Sequence, residues 1–322
     1  MKKWGCLGLL AALALLVGGW MLAGTWFARG PLKHDTVFTV PDGATLGVVA
    51  QKLEEKGAVL SGRTFRWRAR LFGHGQTVKA GEFLLPLGAS ESKILSILAG
   101  DEALRRFVTV PEGLPSVMVQ ERLMAQGVLE GSVDVPEEGS VLPNTYDIKR
   151  GESRQAVLAR MQAAMTKVLA EEWDGREDGL VVKTPEQALT LASIVEKETA
   201  VPAERAMVAG LYANRLKKGI MLQADPTIIY PITKGKPLGR RIHQSEIAAV
   251  NGYNTYAMTG LPKGPITNPG RAAIHAVLHP AKTDVLYMVA DGKGGHAFAT
   301  TLEQHNENVQ RWFAIRRAKG DM

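Results

Sequence analysis

Cysteine is nearly absent from the chain, because Cys6 is the only one among its 322 residues. A single thiol excludes an intrachain disulfide, a zinc site built from cysteines and a dithiol redox pair. Cys6 lies inside an apolar N-terminal run, and the residues before it do not resemble a lipoprotein cleavage box. We interpret this cysteine as chemically inert.

Several catalytic signatures are also missing. The sequence has no G-x-G-x-x-G after a strand pattern, no P-loop and no H-E-x-x-H. Ser193 has no G-x-S-x-G setting, which argues against nucleophilic serine chemistry. The histidines are interpreted as scattered, without the i,i+4 spacing of metal ligands on a helix: His243, His275, His279, His296 and His305. The sequence therefore predicts no metal site and no cofactor.

Positive charge is in excess, with a net charge of +7 and a pI near 9.4. This balance suits an acidic partner, which can be nucleic acid, phospholipid or an anionic glycan, and composition does not choose among them. The apolar fraction of 45% and the charged fraction of 22% are those of an ordinary globular protein. The length leaves room for about two domains beside an N-terminal anchor.

The longest apolar run extends from Trp4 to Phe27 and contains no charged residue. As a helix it would span about 36 Å, which is enough to cross a bilayer. The run is long for the core of a signal peptide, and no clean A-x-A cleavage site follows it. We predict an uncleaved single-pass anchor, with the amino terminus inside and the bulk of the chain outside; a cleaved signal peptide is the alternative.

A pattern of extended apolar run, Pro-x-Gly turn and amphipathic helix occurs three times. The copies begin at Pro41, Pro86 and Pro111 and end at Leu53, Leu98 and Leu123. Each copy predicts a strand followed by a helix, and together they predict an α+β fold. Modules of this kind either bind glycans or act as structural spacers, and the pattern leaves both open.

A basic helix is predicted between the first two copies, where Arg63, Arg66, Arg68 and Arg70 surround Trp67. A solvated helix face near anionic lipid or polymer is the favoured interpretation. Nucleic acid is the alternative, and export of the chain would exclude it.

The central stretch, Leu189 to Tyr230, contains a helix that carries two glutamates. Thr184 is a predicted N-cap and Pro185 a first helical residue. At about 100° per residue, Glu196 and Glu198 point to opposite sides of this helix. Only one of them can therefore act on a given bond.

Glu196 is the predicted general acid of the pair. Its neighbours along the helix face, Ala192, Ser193 and Ala200, are small and leave room for a ligand. Burial would raise the pKa of its carboxyl, which a general acid requires. The alternative is a structural ion pair between Glu196 and Lys197 or Arg205.

Irregular, glycine- and proline-rich segments follow this helix and carry many polar side chains. They include Leu222 to Tyr230, Tyr253 to Tyr256 and Gly260 to Gly270. A helix at Arg271 to Leu278 and a hairpin with strands at 285–290 and 297–300 come next. One carboxyl surrounded by Tyr, Asn and Gln side chains suits glycan chemistry or plain glycan binding.

These segments resemble a known family, the YceG-like endolytic murein transglycosylases. The motifs that carry the resemblance are Ala192-Ser-Ile-Val-Glu-Lys-Glu198, Asn214-Arg-Leu216, Leu222-Gln-Ala-Asp-Pro-Thr-Ile-Ile-Tyr230, Tyr253-Asn-Thr-Tyr256, Gly260-Leu-Pro-Lys-Gly-Pro-Ile266 and Asp291-Gly-Lys-Gly-Gly-His-Ala-Phe298. The likeness covers nearly the whole chain, including an N-terminal anchor and a LysM-like module. Ala224 and Lys263 depart from the residues usual in the family, which leaves the detail of the sugar contacts open.

The resemblance implies three parts: a cytoplasmic stub and transmembrane helix at 1–30, a small LysM-like βα module at 36–105, and a larger mixed α+β catalytic domain at 106–322. The last divides into a connecting lobe, 106–183, and an active-site core, 184–322. It also implies an inner-membrane protein whose bulk is periplasmic and which works beside peptidoglycan synthases (penicillin-binding proteins), with no nucleic acid as partner.

The resemblance further implies cleavage of the β-1,4 bond between N-acetylmuramic acid and N-acetylglucosamine in nascent strands, leaving 1,6-anhydro ends and limiting strand length. The catalytic glutamate of the family carries over to Glu196, acting first as acid and then as base, with Glu198 as the alternative acid. The predicted sugar-binding residues are Asn214, Gln223, Asp225, Tyr230, Tyr253, Asn254 and Tyr256. Two alternatives remain: a glycoside hydrolase with Asp225 as second carboxylate, and a non-catalytic glycan-binding scaffold.

Overall fold

In the computed structural model, residues 24–320 are described, and the chain divides into two compact units, one ending at Arg105 and the other beginning at Arg106. Most of the predicted membrane-spanning run lies outside the described residues, except for a helical turn at 24–27. Among residues 24–320, no helix is both long enough and apolar enough to span a bilayer.

The first unit pairs two strands and packs three helices around an aromatic core. Its elements are β1 (Thr36–Val40), α1 (Leu46–Glu55), α2 (Gly62–Phe72), β2 (Gly81–Leu85) and α3 (Glu91–Ala99). β1 and β2 are antiparallel, with Phe38 opposite Phe83. Both rings are almost completely buried, because alternate side chains of a strand face the same side of the sheet. Phe65 of α2 is also almost completely buried.

The second unit is larger and mostly helical. Its elements are β3 (Arg106–Val110), α4 (Ser116–Met124), β4 (Asn144–Ile148), α5 (Arg154–Asp174), α6 (Pro185–Glu198), α7 (Arg205–Lys217), α8 (Pro226–Thr233), α9 (Gln244–Ile247), α10 (Arg271–Leu278), β5 (Tyr287–Ala290), β6 (His296–Ala299) and α11 (Leu302–Lys319). β3 pairs with β4 and β5 with β6, both antiparallel. Small antiparallel sheets among helices confirm the predicted α+β class. The LysM likeness stays a prediction.

The three predicted strand–turn–helix units are present. Each turn places its glycine at positive φ, at Gly43 (71°), Gly88 (67°) and Gly113 (71°), where a residue with a Cβ would be strained. The first two strand–turn–helix repeats lie in the compact unit that ends at Arg105. The third repeat is at the start of the compact unit that begins at Arg106. The repeat therefore crosses the boundary between the two units.

The central helix, α6, forms as its sequence predicts. Thr184 caps it by accepting a hydrogen bond from the backbone N–H of Gln187, and Pro185 occupies the first turn. The helix packs against α5, α7 and α10, so that apolar residues on opposite sides of it, such as Ala192 and Ile194, are both buried. The helix ends at Glu198, and Thr199 leaves it in an extended conformation.

Candidate active site

A cleft of about 410 Å³ opens at the carboxyl end of α6. Its wall combines the end of α6, one side of α7, the loop leading into α8, and the hairpin of β5 and β6. The polar side chains that line it are Lys197, Glu198, Tyr212, Arg215, Gln223, Asp225, Tyr256 and His296. The cleft is therefore lined by both acids and bases.

Glu198 is the carboxyl that lines this cleft from α6. Its Oε1 is buried and has no hydrogen-bond partner among residues 24–320. Burial, reinforced by the negative charge of Asp225, raises the pKa of Glu198 to about 7, although a hydrogen bond with Tyr212 and the charge of Arg215 oppose the shift. Near neutral pH this carboxyl can both give and take a proton.

Asp225 and Tyr256 form a hydrogen-bonded pair in the cleft. The Tyr256 hydroxyl donates to Asp225 Oδ1 at 2.6 Å. Burial and this bond together raise the pKa of Tyr256 above its ordinary value, so its hydroxyl stays a donor at neutral pH. The pair brings together two of the predicted sugar-binding residues.

Arg215 supplies a buried cation beneath the cleft. Its Nε donates to the carbonyl of Leu286 at 2.7 Å, and its Nη1 to the carbonyls of Met221 and Leu222 at 2.9 and 3.0 Å. The same Nη1 lies 3.1 Å from Gln223 Oε1. Gln223 has a φ of 55°, an uncommon backbone for this residue type, and the Arg215 contact holds its side chain in place there.

Glu196, the predicted acid, lies outside this cleft. Its Oε2 accepts a hydrogen bond from the backbone N–H of Gly270 at 2.9 Å, and its Oε1 lies 3.7 Å from Nη2 of Arg205. Arg205 also binds Glu112 at 3.0 Å. Burial raises the pKa of Glu196, with the hydrogen bond from Gly270 opposing it. This arrangement matches the structural ion pair that was the alternative to catalysis.

Four of the predicted sugar-binding residues also lie outside the cleft. Asn214 donates to the carbonyls of Thr283 and Val285 at 2.6 and 3.1 Å. Asn254 is buried and donates its amide protons to three carbonyls of the α9 segment. Their amide groups thus hold loops together, and the sugar contacts predicted for both residues stay a prediction.

Tyr230 and Tyr253 complete that group. Their rings meet at a tilted angle of 55° with centroids 4.8 Å apart. Tyr230 is buried and hydrogen-bonds Glu138, and burial raises its pKa. Lys263 lies over the ring of Tyr253 with its Nζ 4.9 Å from the centroid. These contacts support the loops behind the cleft. Neither tyrosine lines the cleft, and the sugar contacts predicted for them stay a prediction.

His296 lines the cleft but was not among the predicted site residues. Glu204 fixes it by accepting from its backbone N–H at 2.8 Å and from its Nδ1 at 2.7 Å, while Thr199 donates to the same carboxylate at 3.1 Å. Such second bonds orient an imidazole and decide which nitrogen carries the proton. The sequence clue was the position of His296 directly after the Asp291-Gly-Lys-Gly-Gly turn, as the first residue of β6.

The interpretation of all the histidines as scattered is wrong for one pair. His275 and His279 are four residues apart, and they lie together with Glu172 within a radius compatible with metal ligands. His275 Nδ1 lies 2.7 Å from Glu172, whose other oxygen accepts from Arg271 at 2.6 Å. Because Glu172 is already bound by Arg271 and His275, the cluster forms a polar connection between α5 and α10.

Residues 38–311 match the family model described as the YceG-like family. The chain belongs to the YceG-like family. The match covers both compact units, and it confirms the resemblance drawn from the motifs around Glu196, Asp225 and Tyr256.

Curated relatives extend the comparison. An endolytic murein transglycosylase of Bacillus subtilis (strain 168) is 26% identical over 341 residues, which cover 95% of this chain and 93% of that protein. An endolytic murein transglycosylase of Streptococcus pneumoniae (serotype 2, strain D39) is 29% identical over 327 residues. The alignment covers 86% of this chain but only 58% of the pneumococcal protein.

A solved structure of the same family resembles this chain as well. The crystal structure of a YceG-like protein of Listeria monocytogenes superposes with a TM-score of 0.53 at 25% identity. The superposition covers 85% of this chain and 99% of the Listeria chain. This solved YceG-like protein is therefore similar in fold to the α+β architecture described above.

Proposed function

We propose that the chain is an endolytic murein transglycosylase, a lyase that cuts the β-1,4 bond between N-acetylmuramic acid and N-acetylglucosamine. Membership of the YceG-like family and the names of the curated relatives support lytic transglycosylase activity on peptidoglycan. The observation that carries the proposal to this chain is the cleft carboxyl of Glu198, whose pKa near 7 suits acid–base catalysis.

Glu198 is the acid that the geometry supports over Glu196. It lines the cleft and leaves one carboxyl oxygen without a partner. Glu196 instead binds Gly270 and Arg205, and a ligand could reach its oxygens only by displacing those groups. Glu196 remains the alternative acid that experiment must exclude.

In the proposed mechanism one carboxyl performs both proton transfers. Protonated Glu198 gives its proton to the glycosidic oxygen as the bond from that oxygen to C1 of N-acetylmuramic acid breaks. The resulting carboxylate then takes the proton of the C6 hydroxyl of the same sugar. O6 bonds to C1, which yields the 1,6-anhydro ring and restores the protonated acid without consuming water.

The other cleft residues have positioning roles in this proposal. Asp225 accepts from Tyr256 and can hold that hydroxyl toward a sugar, while its charge keeps Glu198 protonated near neutral pH. Arg215 lies close enough to moderate the charge of the Glu198 carboxylate. His296, oriented by Glu204, offers its outer nitrogen to a sugar hydroxyl.

A glycoside hydrolase and a binding scaffold are the other functions compatible with this cleft. A hydrolase would use Asp225 as a second carboxylate and leave hydrated reducing ends. A scaffold would bind strands without cutting them. The close charge interaction between Glu198 and Asp225 is the observation that keeps the hydrolase in consideration.

The products separate these functions. Purified full-length protein incubated with uncrosslinked glycan strands is expected to release fragments with 1,6-anhydro-N-acetylmuramic acid ends. Mass spectrometry distinguishes them from hydrated ends, which carry one additional water. Hydrated ends as the main product would assign a hydrolase, and binding of strands without any new ends by folded protein would assign a scaffold.

The pH profile tests the electrostatics of the cleft. Because Glu198 must begin protonated and its pKa is about 7, the cleavage rate is expected to fall as the pH rises through that value. Asp225→Asn removes a negative charge that raises this pKa, so the descending limb should move to lower pH. An initial-rate profile of parent and variant measures the shift. If the descending limb of the variant's profile moves to higher pH or does not move, the proposed effect of the Asp225 charge on the pKa of Glu198 is contradicted.

The N-terminal sequence supports a proposal for the cellular setting. The apolar run at Trp4 to Phe27 supports an inner-membrane anchor with the bulk of the chain in the periplasm, beside peptidoglycan synthases. In that place an endolytic cut would limit the length of nascent strands. Alkaline-phosphatase fusions after residue 322 would test the orientation, because the phosphatase is active only in the periplasm.

A further inference from the structure

One surface of the first unit combines exposed cations with exposed apolar side chains. It is the outer face of α2 and the residue before it: Leu60, Arg63, Arg66, Trp67, Arg70 and Leu71, called here the α2 face. Within α2 these side chains cover an arc of about 140°. Trp67 is 61% exposed, Leu71 55% and Leu60 84%. Apolar side chains of this size are seldom left exposed together unless they contact a partner.

The cations of the α2 face are not neutralised by the protein. Arg68, which lies to one side of the face, pairs with Glu91 at 3.0 Å. Arg63, Arg66 and Arg70 have no ion-pair partner within residues 24–320. Of the two acidic residues before the helix, Glu54 accepts a hydrogen bond from the backbone N–H of Gly62 and Glu55 accepts one from Nε2 of Gln51. Three guanidinium groups are thus free to bind an external anion.

The opposite face of α2 packs directly on the end of the apolar N-terminal run. Trp26 belongs to the helical turn at 24–27 and is 2% exposed. Its ring lies 6.1 Å from that of Phe65 and 6.2 Å from that of Phe72, both on α2. Since a helix with its side chains is about 10–12 Å across, the α2 face lies within about that distance of the point where the run ends.

From this placement we infer that the α2 face binds anionic phospholipid headgroups on the membrane into which the N-terminal run inserts. The inference rests on the predicted anchor and is independent of the chemistry proposed for Glu198. If the run crosses the bilayer, Trp26 marks its exit, and the α2 face lies at headgroup depth. There guanidinium groups bind phosphate oxygens through paired hydrogen bonds.

The mixture of side chains favours lipid over a glycan or nucleic acid. Trp is enriched at the boundary between headgroups and acyl chains, where its ring is in apolar surroundings and its N–H is hydrated. Leu60 and Leu71 flank the arginines and would enter the same boundary. A purely electrostatic site for a polyanion has no need of two exposed leucines.

Depth-dependent fluorescence quenching tests this inference on the full chain. Trp67→Cys in a Cys6→Ser background gives a single site for an environment-sensitive fluorophore. The labelled protein is reconstituted into vesicles of phosphatidylcholine alone or mixed with phosphatidylglycerol. A quencher attached to the upper acyl chain should quench the probe strongly in the mixed vesicles and weakly in phosphatidylcholine.

A charge-matched pair of variants supplies the control. Arg63→Gln with Arg70→Gln should abolish most of the quenching that depends on phosphatidylglycerol. Lys56→Gln with Lys93→Gln removes the same number of exposed charges from the same unit and should leave that quenching unchanged. None of these four residues lines the cleft, so both double variants should cleave soluble strands at the parent rate. That result would also show that both variants fold.

Three results would overturn the inference. The first is equal quenching in the two kinds of vesicle, and the second is an equal loss in the two double variants. The third is protection of the probe from an aqueous quencher by purified glycan strands but not by anionic lipid, which would assign the α2 face to glycan. Flotation with phosphatidylcholine vesicles tests the anchor separately, since anchored protein floats whether or not the α2 face binds.

Discussion

Glu198→Gln is expected to reduce cleavage of glycan strands by about 10²–10⁴-fold, the usual contribution of a general acid–base residue. Glutamine has the same shape and can keep the hydrogen bond with Tyr212, but it cannot transfer a proton. The measurement is the rate of appearance of new chain ends, followed by mass spectrometry, with strand binding measured in parallel. Binding should survive, because the shape of the cleft is unchanged.

Glu196→Gln is the matched control, since it makes the same change two residues earlier on α6. Glutamine can still accept from Gly270, so most of the cleavage should remain. If this variant loses cleavage while Glu198→Gln keeps it, the acid is Glu196, as the motif resemblance implied. Equal rates for both variants and the parent would remove both glutamates from the mechanism.

Thermal denaturation tests whether misfolding, and not the loss of the proton donor, explains reduced cleavage by Glu198→Gln. The folded-state pKa of Glu198 is raised to about 7, above the value of about 4.3 expected in the unfolded chain. The parent therefore loses stability as the pH rises between these two values and carries the full penalty above pH 7. Glu198→Gln removes the ionisable group, so its advantage in melting temperature over the parent should be greater at pH 8 than at pH 5.

Asn268→Leu is expected to destabilise the second unit by about 3–5 kcal/mol, because it leaves several buried polar groups unpaired. The side chain is completely buried. Its Nδ2 donates to the Leu114 carbonyl at 2.9 Å and to Ser116 Oγ at 3.1 Å, and its Oδ1 accepts from the Val141 N–H at 3.0 Å. Leucine has a similar volume but offers none of these bonds. Equilibrium unfolding in urea measures the change.

Asn144→Leu provides the comparison, because Asn144 is exposed and its Oδ1 accepts only from the next backbone N–H. Its effect should lie within about 0.5 kcal/mol, as for most surface substitutions. Similar losses for the two variants would show that the buried network around Asn268 does not stabilise the unit. The network matters because it joins the turn after β3 to the loop that precedes α10.

Local patterns predicted most of the fold. The Pro-x-Gly turns marked three strand–helix units, the Thr184 cap marked the start of α6, and the glycine-rich segment after Asp291 marked the hairpin of β5 and β6. Each of these depends on interactions between residues near in sequence. The boundaries differ by a few residues where the local signal is weak; for example, the strand predicted at 285–290 begins only at Tyr287.

The side of α6 that faces the cleft could not be predicted in the same way. Helical periodicity separated Glu196 from Glu198 correctly, but α5, α7 and α10 bury the helix on both sides. Which carboxyl meets the cleft depends on contacts such as that from Gly270 to Glu196, which joins residues 74 positions apart. The role of Asn254 was ambiguous for a similar reason. Its amide donates to three backbone carbonyls, and the sequence alone does not distinguish such a structural amide from one that binds sugar.

The turn of the third strand–helix unit has a consequence for how the chain can vary in length. Glu112 of this turn binds Arg205, which also reaches Glu196, and the carbonyl of Gly113 accepts from Lys197. The turn thus braces the last helical turn of α6, from which Glu198 enters the cleft. A surface loop usually tolerates an inserted residue, but an insertion here would move the brace away from the helix. The turns at Gly43 and Gly88 lie outside the unit that contains the cleft, so we expect the repeat to tolerate added residues there without displacing Glu198.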